Sequence, residues 1–384
     1  MAQRQFRSDD TSTWSEKFGN GSDGAHSPIT ATDAQPNTTL TGTADATAAT
    51  AGSGTGFTAN NLVIIHQTQG TGAGNWELNR ISSIGGGTDW TMAYPLINTY
   101  TTGAQVYKLN QYTSANIAGG VTITGQAWNG SKGGIYGFIC SGDATIAGTI
   151  TVAAKGFRGG TGDTSPGASF GAQGESSTGV GSEGSGQNGS AGGGGQSVGD
   201  AGGGGAGSSH GGSGANGTAG NSGSTGGSVG ATQGTPGLTT MFLAAGGGGG
   251  GIDDSPGPGG SGGAGGGIVI IIAKNITISG SVTSNAGNGT TGGDSGGGGG
   301  GGSGGSVLLK GQTIDIGATK ITVAAGTGAS GNSAFGGIGG NGGVGGVGRI
   351  HADYLTIISG SSSPTIDSRQ DLSLIEAGSY AYFL

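Results

Sequence analysis

The sequence is poor in charged and aromatic residues, has few prolines, and contains a single cysteine. Of its 384 residues, 9% are charged, 5% are aromatic and 31% are hydrophobic. This apolar share is well below that of an ordinary globular domain, which argues against a conventional layered core along the whole chain. The lone Cys140 excludes an intramolecular disulfide framework and a thiolate metal cluster. Its place in the apolar run 135–140 predicts a buried, unreactive side chain.

The few charges give a net charge of −8, and the 13 Lys and Arg residues are scattered singly. Because no basic stripe is available to neutralise phosphates, nucleic acids and anionic membranes are not expected partners. The longest apolar run, 268–273, is strand-sized, so no membrane span is expected. The N-terminus lacks the apolar stretch of a classical signal peptide. We expect an extracellular or virion-surface protein. Without a classical signal peptide, such a protein would leave the cell by another route, such as lysis.

Glycine is the residue in excess, with 100 copies. The polar remainder is mostly Ser, Thr, Asn and Gln, a composition that favours strands and turns over helices. We predict an all-β fold, in which a small N-terminal β-barrel or sandwich precedes a β-solenoid that carries a packed polyglycine II helix region.

The chain divides into five predicted parts: an N-terminal arm at 1–35, a small barrel or sandwich at 36–112, first solenoid strands at 113–158, a polyglycine II region at 159–265, and a β-solenoid with glycine-rich turns and a C-terminal apolar strand at 266–384. Short apolar or alternating runs separated by turn residues indicate the barrel. Further along, a repeat of Gly-Gly, strand, turn and second strand indicates the solenoid. The lead glycines at 267, 305 and 346 lie 38 and 41 residues apart.

The long glycine tract admits two interpretations. One is a flexible linker. The other rests on glycine at every third residue from 211 to 226 and on Gly-Gly-x triplets at 259–264 and 336–347. A period of three is that of a polyproline II-type helix, which has no internal hydrogen bonds and is therefore free to bond to its neighbours. Collagen is rejected, because the chain has only 8 prolines and the triplet phase breaks repeatedly.

No motif predicts catalysis, a cofactor or a metal. Gly-x-Ser-x-Gly occurs three times within the glycine tract, and no copy follows a strand or opens a helix, as a nucleophile elbow does. The four histidines share no metal-ligand spacing, and the acidic residues are sparse. We expect a protein that is not an enzyme.

Short motifs resemble known proteins. The stretches Ala127-Trp128-Asn129-Gly130 and Lys155-Gly156-Phe157-Arg158-Gly159-Gly160, with the closing Gly-Gly-x-Gly-Arg349-Ile350 unit, resemble glycine-rich bacterial surface proteins in which a small β-barrel precedes a glycine-rich solenoid. This resemblance covers about residues 60–350. The glycine tract also resembles the tail-tip adhesins of T-even-like phages, whose polyglycine II helices carry receptor-reading loops. Neither resemblance implies catalytic residues.

Two functions follow as hypotheses. The first is a structural subunit with an adhesive role that self-assembles into a filament or surface fibre. Its homo-oligomer would form through docking of the termini, with these assembly candidates: Phe6, Trp14, Phe18, Tyr380, Tyr382, Phe383 and Leu384. For both terminal segments, packing on the chain's own body stays an open alternative.

The second hypothesis is a tail-fibre or tail-tip adhesin that reads a cell-surface glycan or an outer-membrane protein. Loops on a rigid scaffold are common places for recognition. The receptor-loop candidates are the bulkier residues that interrupt glycine: Asp163, Phe170, Ile252, Asp253 and Asp254.

Overall fold

The computed structural model describes residues 17–28, 35–165, 169–221, 223–252, 257–334 and 336–374. The first seven strands are β1 (Ala25–His26), β2 (Asn37–Gly42), β3 (Ala48–Ala51), β4 (Leu62–Gln67), β5 (Trp76–Gly85), β6 (Asp89–Met92) and β7 (Ala104–Lys108). Six of them close an antiparallel barrel in the order β2-β3-β6-β5-β4-β7. The all-β prediction and the small N-terminal barrel are therefore confirmed.

Strand β4 is buried along its whole length because its two faces belong to different cores. Val63 and Ile65 point into the barrel. Leu62 and Ile64, which alternate with them, pack into a second core shared with the rest of the chain. The unbroken apolar run of β4 thus joins the barrel to the body behind it.

The remaining elements are β8 (Asn110–Tyr112), β9 (Ser114–Ile117), β10 (Thr122–Thr124), β11 (Ile135–Ile146), β12 (Thr149–Thr151), β13 (Ser197–Val198), β14 (Ala201–Gly202), β15 (Ile268–Ile278), β16 (Ser281–Thr283), β17 (Ser306–Thr322), β18 (Ser333–Ala334), β19 (Gly337–Ile338), β20 (Arg349–Ser363), β21 (Asp367–Gln370) and the 3₁₀ helix η1 (Leu372–Leu374). The long strands β11, β15, β17 and β20 pair in parallel, with Ile135, Ile268, Ser306 and Arg349 in register. These strands begin at the apolar runs of the sequence repeat.

The parallel sheet curls around an apolar core. Strand β17 pairs with both β15 and β16, and the short strands β16, β12 and β10 pair in turn, so the sheet folds back over itself. Isoleucine and valine from successive strands fill the inside, and Cys140 lies among them, fully buried as predicted.

Extended glycine-rich segments form a separate layer, called here the glycine layer, from the described residues of 156–267, 284–305 and 323–348. These segments run into β15, β17 and β20, or out of β12, β16 and β17. Most of their residues belong to no strand. Their backbone groups bond instead to other segments of the layer.

Segment 244–251 shows how the layer is bonded. Residues 244, 247 and 250 donate backbone N–H groups to segment 260–266, residues 246 and 249 donate to 172–175, and residues 248 and 251 donate to 203–206. The carbonyl groups accept from three further segments, 157–163, 192–195 and 297–303. The direction of donation therefore repeats every third residue, and this segment is bonded to six neighbours.

Two other segments repeat this arrangement. Segment 297–305 donates in the same three-residue rotation to 245–251, 340–346 and 284–290, and accepts from three others. Segment 202–209 donates to 295–301, 190–196 and 215–218. Because most backbone groups of these buried segments have partners, the segments need no sheet to satisfy them.

The bonding requires glycine because the segments touch through their backbones. A Cβ atom added at Gly248 would lie 2.0 Å from the carbonyl oxygen of Gly193, and one at Gly300 would lie 1.9 Å from that of Ala206. Such distances are far below van der Waals contact. Side-chain variety is therefore confined largely to the outer faces and the ends of the layer.

A non-glycine segment, 238–243, fastens the barrel to the glycine layer. The carbonyl oxygen of Leu238 accepts a hydrogen bond from Trp76 Nε1 at 2.9 Å, and that of Met241 lies 2.8 Å from His66 Nε2. Leu243 is fully buried in the same core as Trp76. The layer thus has one end held on the barrel and sheet.

Candidate functional site

Six loops meet at the far end of the glycine layer. This loop end comprises the described residues of 163–170, 197–201, 220–224, 252–258, 292–296 and 332–338. Hydrogen bonds join one loop to the next: Ser197 N to Ser169 O (2.9 Å), Ile252 N to Ser197 Oγ (2.8 Å), Gly293 N to Pro258 O (2.7 Å), Gly202 N to Ser295 O (3.0 Å), Ala334 N to Ser295 Oγ (3.1 Å) and Asn221 N to Ile338 O (3.1 Å). The loops therefore form one continuous surface.

Three of the receptor-loop candidates lie together at this end. Asp163 accepts hydrogen bonds from Ser197 Oγ at 2.6 Å, from Ser165 N at 2.9 Å and from Ser169 Oγ. Phe170 forms a β-bridge with Gln196 in the loop beside it. Asp163 is 6% exposed and Ile252 is 2% exposed.

Two of these residues are buried. Asp163 and Ile252 hold the loops in place through Ser197 and offer little surface to a partner, whereas Phe170 is half-buried. Asp253 and Asp254 lie outside the described residues.

Two polar residues that sequence reasoning missed connect the other loops. Asn221 Oδ1 accepts a hydrogen bond from Ile338 N at 2.9 Å, and Asn221 Nδ2 donates to Gly336 O at 3.2 Å. Ser295, buried and at a φ of 49°, joins the loops at 202 and 334. The available signal was an Asn or Ser that interrupts glycine at a turn, which these side chains favour because they bond to nearby backbone.

The loop end is acidic. The sequence from 159 to 273 contains no Lys or Arg, and neither do 284–305 and 323–348. Asp200 and Asp294 are exposed on the loop end. Ile338 beside them is 57% exposed. The surface therefore combines negative charge with a small apolar contact.

Three buried titratable groups elsewhere, His66, His210 and Glu77, each make structural hydrogen bonds. His66 and His210 are fully buried, and desolvation lowers the pKa of each to about 4. Burial raises the pKa of Glu77, which accepts hydrogen bonds from Ile97 N at 2.8 Å and from Tyr100 Oη at 3.1 Å inside the barrel.

The contacts of His351 leave neither ring nitrogen available to a substrate. Nδ1 lies 2.6 Å from Asp367 and Nε2 lies 3.3 Å from Asp353. These carboxylates belong to β21 and β20, so the histidine links two strands. Among the described residues, no three His, Cys, Asp or Glu side chains are grouped to hold a metal ion.

The two ends of the described chain lie side by side. Phe18 is fully buried and belongs to the same core as Leu374. Lys17 Nζ donates to Ser373 O. Among the assembly candidates, Phe18 thus packs on its own chain, whereas Phe6, Trp14, Tyr380, Tyr382, Phe383 and Leu384 lie outside the described residues.

No family model matches this chain, and neither the curated proteins nor the solved structures contain a significant match to it. Within the described residues, no helix has the length and hydrophobicity of a transmembrane helix.

Proposed function

We propose that the glycine layer is a bundle of polyglycine II helices stacked on a short β-solenoid. The three-residue rotation of hydrogen-bond direction supports this assignment, because three residues per turn is the repeat of that helix. Six bonded neighbours around each of three central segments support hexagonal packing. Such a bundle is stiff, since shifting one helix breaks hydrogen bonds to all of its neighbours.

The protein then acts as a non-enzymatic adhesive scaffold that presents the loop end to a cell surface. The observation that carries this proposal is the convergence of six loops at the one end of a layer whose interior tolerates almost no side chains. Loops held on a rigid frame are common places for recognition, and these loops admit side chains that the interior of the layer does not.

The negative charge of the loop end indicates which class of partner it binds. Exposed Asp200 and Asp294, with no Lys or Arg in the described residues of the loop end, favour a partner that presents Lys or Arg side chains, such as an outer-membrane protein loop, over an anionic glycan. Association through such charges weakens as salt screens them.

Binding of fluorescently labelled protein to a panel of intact bacteria tests the proposal. Asp200→Lys combined with Asp294→Lys is expected to reduce binding about tenfold or more, because it reverses two charges at the contact surface. Asp89→Lys combined with Asp315→Lys is the control, since it makes the same charge change at exposed acids of the barrel and sheet. Wild-type binding is expected to fall as salt is raised. Equal losses in the two double variants, or binding to no strain of the panel, would contradict the proposal.

The assembly hypothesis stays a prediction. Its expected surfaces are the terminal segments, and electron microscopy of the purified chain at increasing concentration tests it. Filaments with a regular axial repeat are the expected result if the chain is a fibre subunit. Discrete particles at every concentration would contradict the fibre hypothesis, and adhesion would then be the one proposed role that remains.

A further inference from the structure

A polar cavity of about 360 Å³ lies where the barrel meets the parallel sheet. Its walls come from the start of β2, from the loop after β3 and from the loop between β10 and β11. Six polar side chains line it: Gln35, Asn37, Ser53, Thr55, Gln126 and Lys132. None of these described residues belongs to the glycine layer, so the cavity is separate from the loop end.

Lys132 is the one charged side chain among the described residues that line the cavity. It is half-buried, and its ammonium group donates a hydrogen bond to the backbone oxygen of Asn37 at 3.2 Å. It forms no ion pair with a carboxylate of the described residues. Because an ammonium group carries three donors, Lys132 offers a positive charge and two further N–H groups to a ligand.

Two neighbouring side chains add donors to the same cavity. Thr55 Oγ1 accepts a hydrogen bond from Ser53 Oγ at 3.1 Å, which leaves the Thr55 hydroxyl hydrogen able to donate. Gln126 Oε1 accepts from Asn37 Nδ2 at 2.6 Å, and Gln126 Nε2 has no partner among the described residues. A cavity with these donors and no described carboxylate in its lining suits a ligand that is negatively charged and rich in acceptors.

The size and the lining of the cavity narrow the class of this ligand. Its volume is at the lower end of the range of about 300–1,000 Å³ for small-molecule sites, and it far exceeds the space that a lone carboxylate needs. Such sites are mostly apolar, whereas here amide and hydroxyl groups predominate. Pro36 and Gly56 supply an apolar part of the wall, on which the C–H face of a sugar ring can pack.

We propose that this cavity binds a saccharide unit that carries a carboxylate, such as a hexuronate of a cell-surface polysaccharide. Lys132 holds the carboxylate, and Thr55 and Gln126 donate to ring hydroxyl oxygens. The net charge of −8 does not prevent such binding, because charges more than about 8 Å away are largely screened at physiological ionic strength. The site does not depend on the loop end, and contact at both places would strengthen attachment to one cell surface.

Isothermal titration calorimetry of the full chain tests the site with three probes. Glucuronate is expected to bind saturably in the millimolar range, as is ordinary for a single small sugar. Glucose, which has the ring but no charge, is expected to bind about tenfold more weakly or less, because it lacks the charge-assisted hydrogen bond to Lys132. Acetate, which has the charge but no ring, is expected to bind at least as weakly as glucose.

Substitutions assign the binding to the cavity. Lys132→Met is expected to weaken glucuronate binding about tenfold or more and to remove its advantage over glucose. Lys320→Met is the matched control, because Lys320 is also half-buried and lies outside the cavity. Thr55→Val covers the case in which Lys132→Met fails to fold. Thr55 is exposed, and loss of its hydroxyl is expected to weaken glucuronate binding about threefold or more.

Four results would overturn the proposal. The first is no saturable binding of glucuronate, and the second is glucuronate binding no tighter than that of glucose. The third is acetate binding as tight as that of glucuronate, which would show a site for any small carboxylate. The fourth is an equal effect of Lys132→Met and Lys320→Met, or no effect of Thr55→Val, which would place the binding outside the cavity.

Discussion

The distance from an added Cβ to the neighbouring atoms shows whether a position in the glycine layer requires glycine. Gly248 donates its N–H to Ala206 O at 2.8 Å and leaves 2.0 Å between a built Cβ and Gly193 O. Gly186 lies in the same tract, but no atom is within 4 Å of its built Cβ. The two positions have the same residue and opposite constraints.

This contrast predicts the effect of a single methyl group. Gly248→Ala is expected to lower the free energy of unfolding by about 3 kcal/mol, because neighbouring backbone must move to admit the Cβ. Gly186→Ala is expected to leave it unchanged or to raise it by up to about 1 kcal/mol, since alanine restricts the unfolded chain. Denaturant unfolding of both variants measures the difference, and equal stabilities would show that the layer is not packed through its backbones.

At the scale of single elements, strand β21 is held by charge. Asp353 on β20 lies 2.7 Å from Arg369 Nη2 and 3.6 Å from Lys310 Nζ. Desolvation opposes ionisation of Asp353, but the hydrogen bond from His351 and the nearby charges of Lys310, His351 and Arg369 outweigh it and lower its pKa to about 2. The carboxylate therefore remains charged in the fold at pH values where the unfolded chain takes up a proton.

The sign of this shift sets the expected pH dependence. Because the folded pKa is below the unfolded value of 3.8, Asp353 contributes stability above about pH 4 and loses it as the pH falls toward 2. The contribution is about 2 kcal/mol. Asp353→Asn is expected to lose this part of the acid sensitivity and to increase hydrogen exchange in β21 at neutral pH. Asp89→Asn, at an exposed hairpin position, is the control, and a wild-type acid profile in Asp353→Asn would contradict the assignment.

Elements with a local signal were predictable from the sequence. The apolar runs that became β4, β15 and β17 are continuous, and those of β15 and β17 each follow a Gly-Gly lead of the repeat, which indicated that successive coils pair with each other. The loop end had no such signal, because Asn221 and Ile338 meet across 117 residues of chain. The sequence also did not show whether the Asp163 side chain would be exposed to a partner or buried. Its burial depends on the hydrogen bond from Ser197, and the position of Ser197 is set by the packing of the layer.

At the scale of the whole molecule, the low apolar content of the chain determines how its fold is stabilised. It has too few apolar residues for one large core, so it confines them to a barrel and a curled sheet. It then builds the rest from backbone hydrogen bonds between glycine segments. This arrangement carries the loop end away from the barrel on a body that needs almost no side chains.

Amide hydrogen exchange across segments 202–209, 244–251 and 297–305 tests this account most directly. Each segment donates to three neighbours. The N–H groups are therefore expected to exchange about as slowly as those of strand β15, even though the residues belong to almost no regular strand. Exchange at the rate of an unprotected chain across these segments would mean that the tract is a flexible linker, and would contradict both the rigid layer and the loop end that it carries.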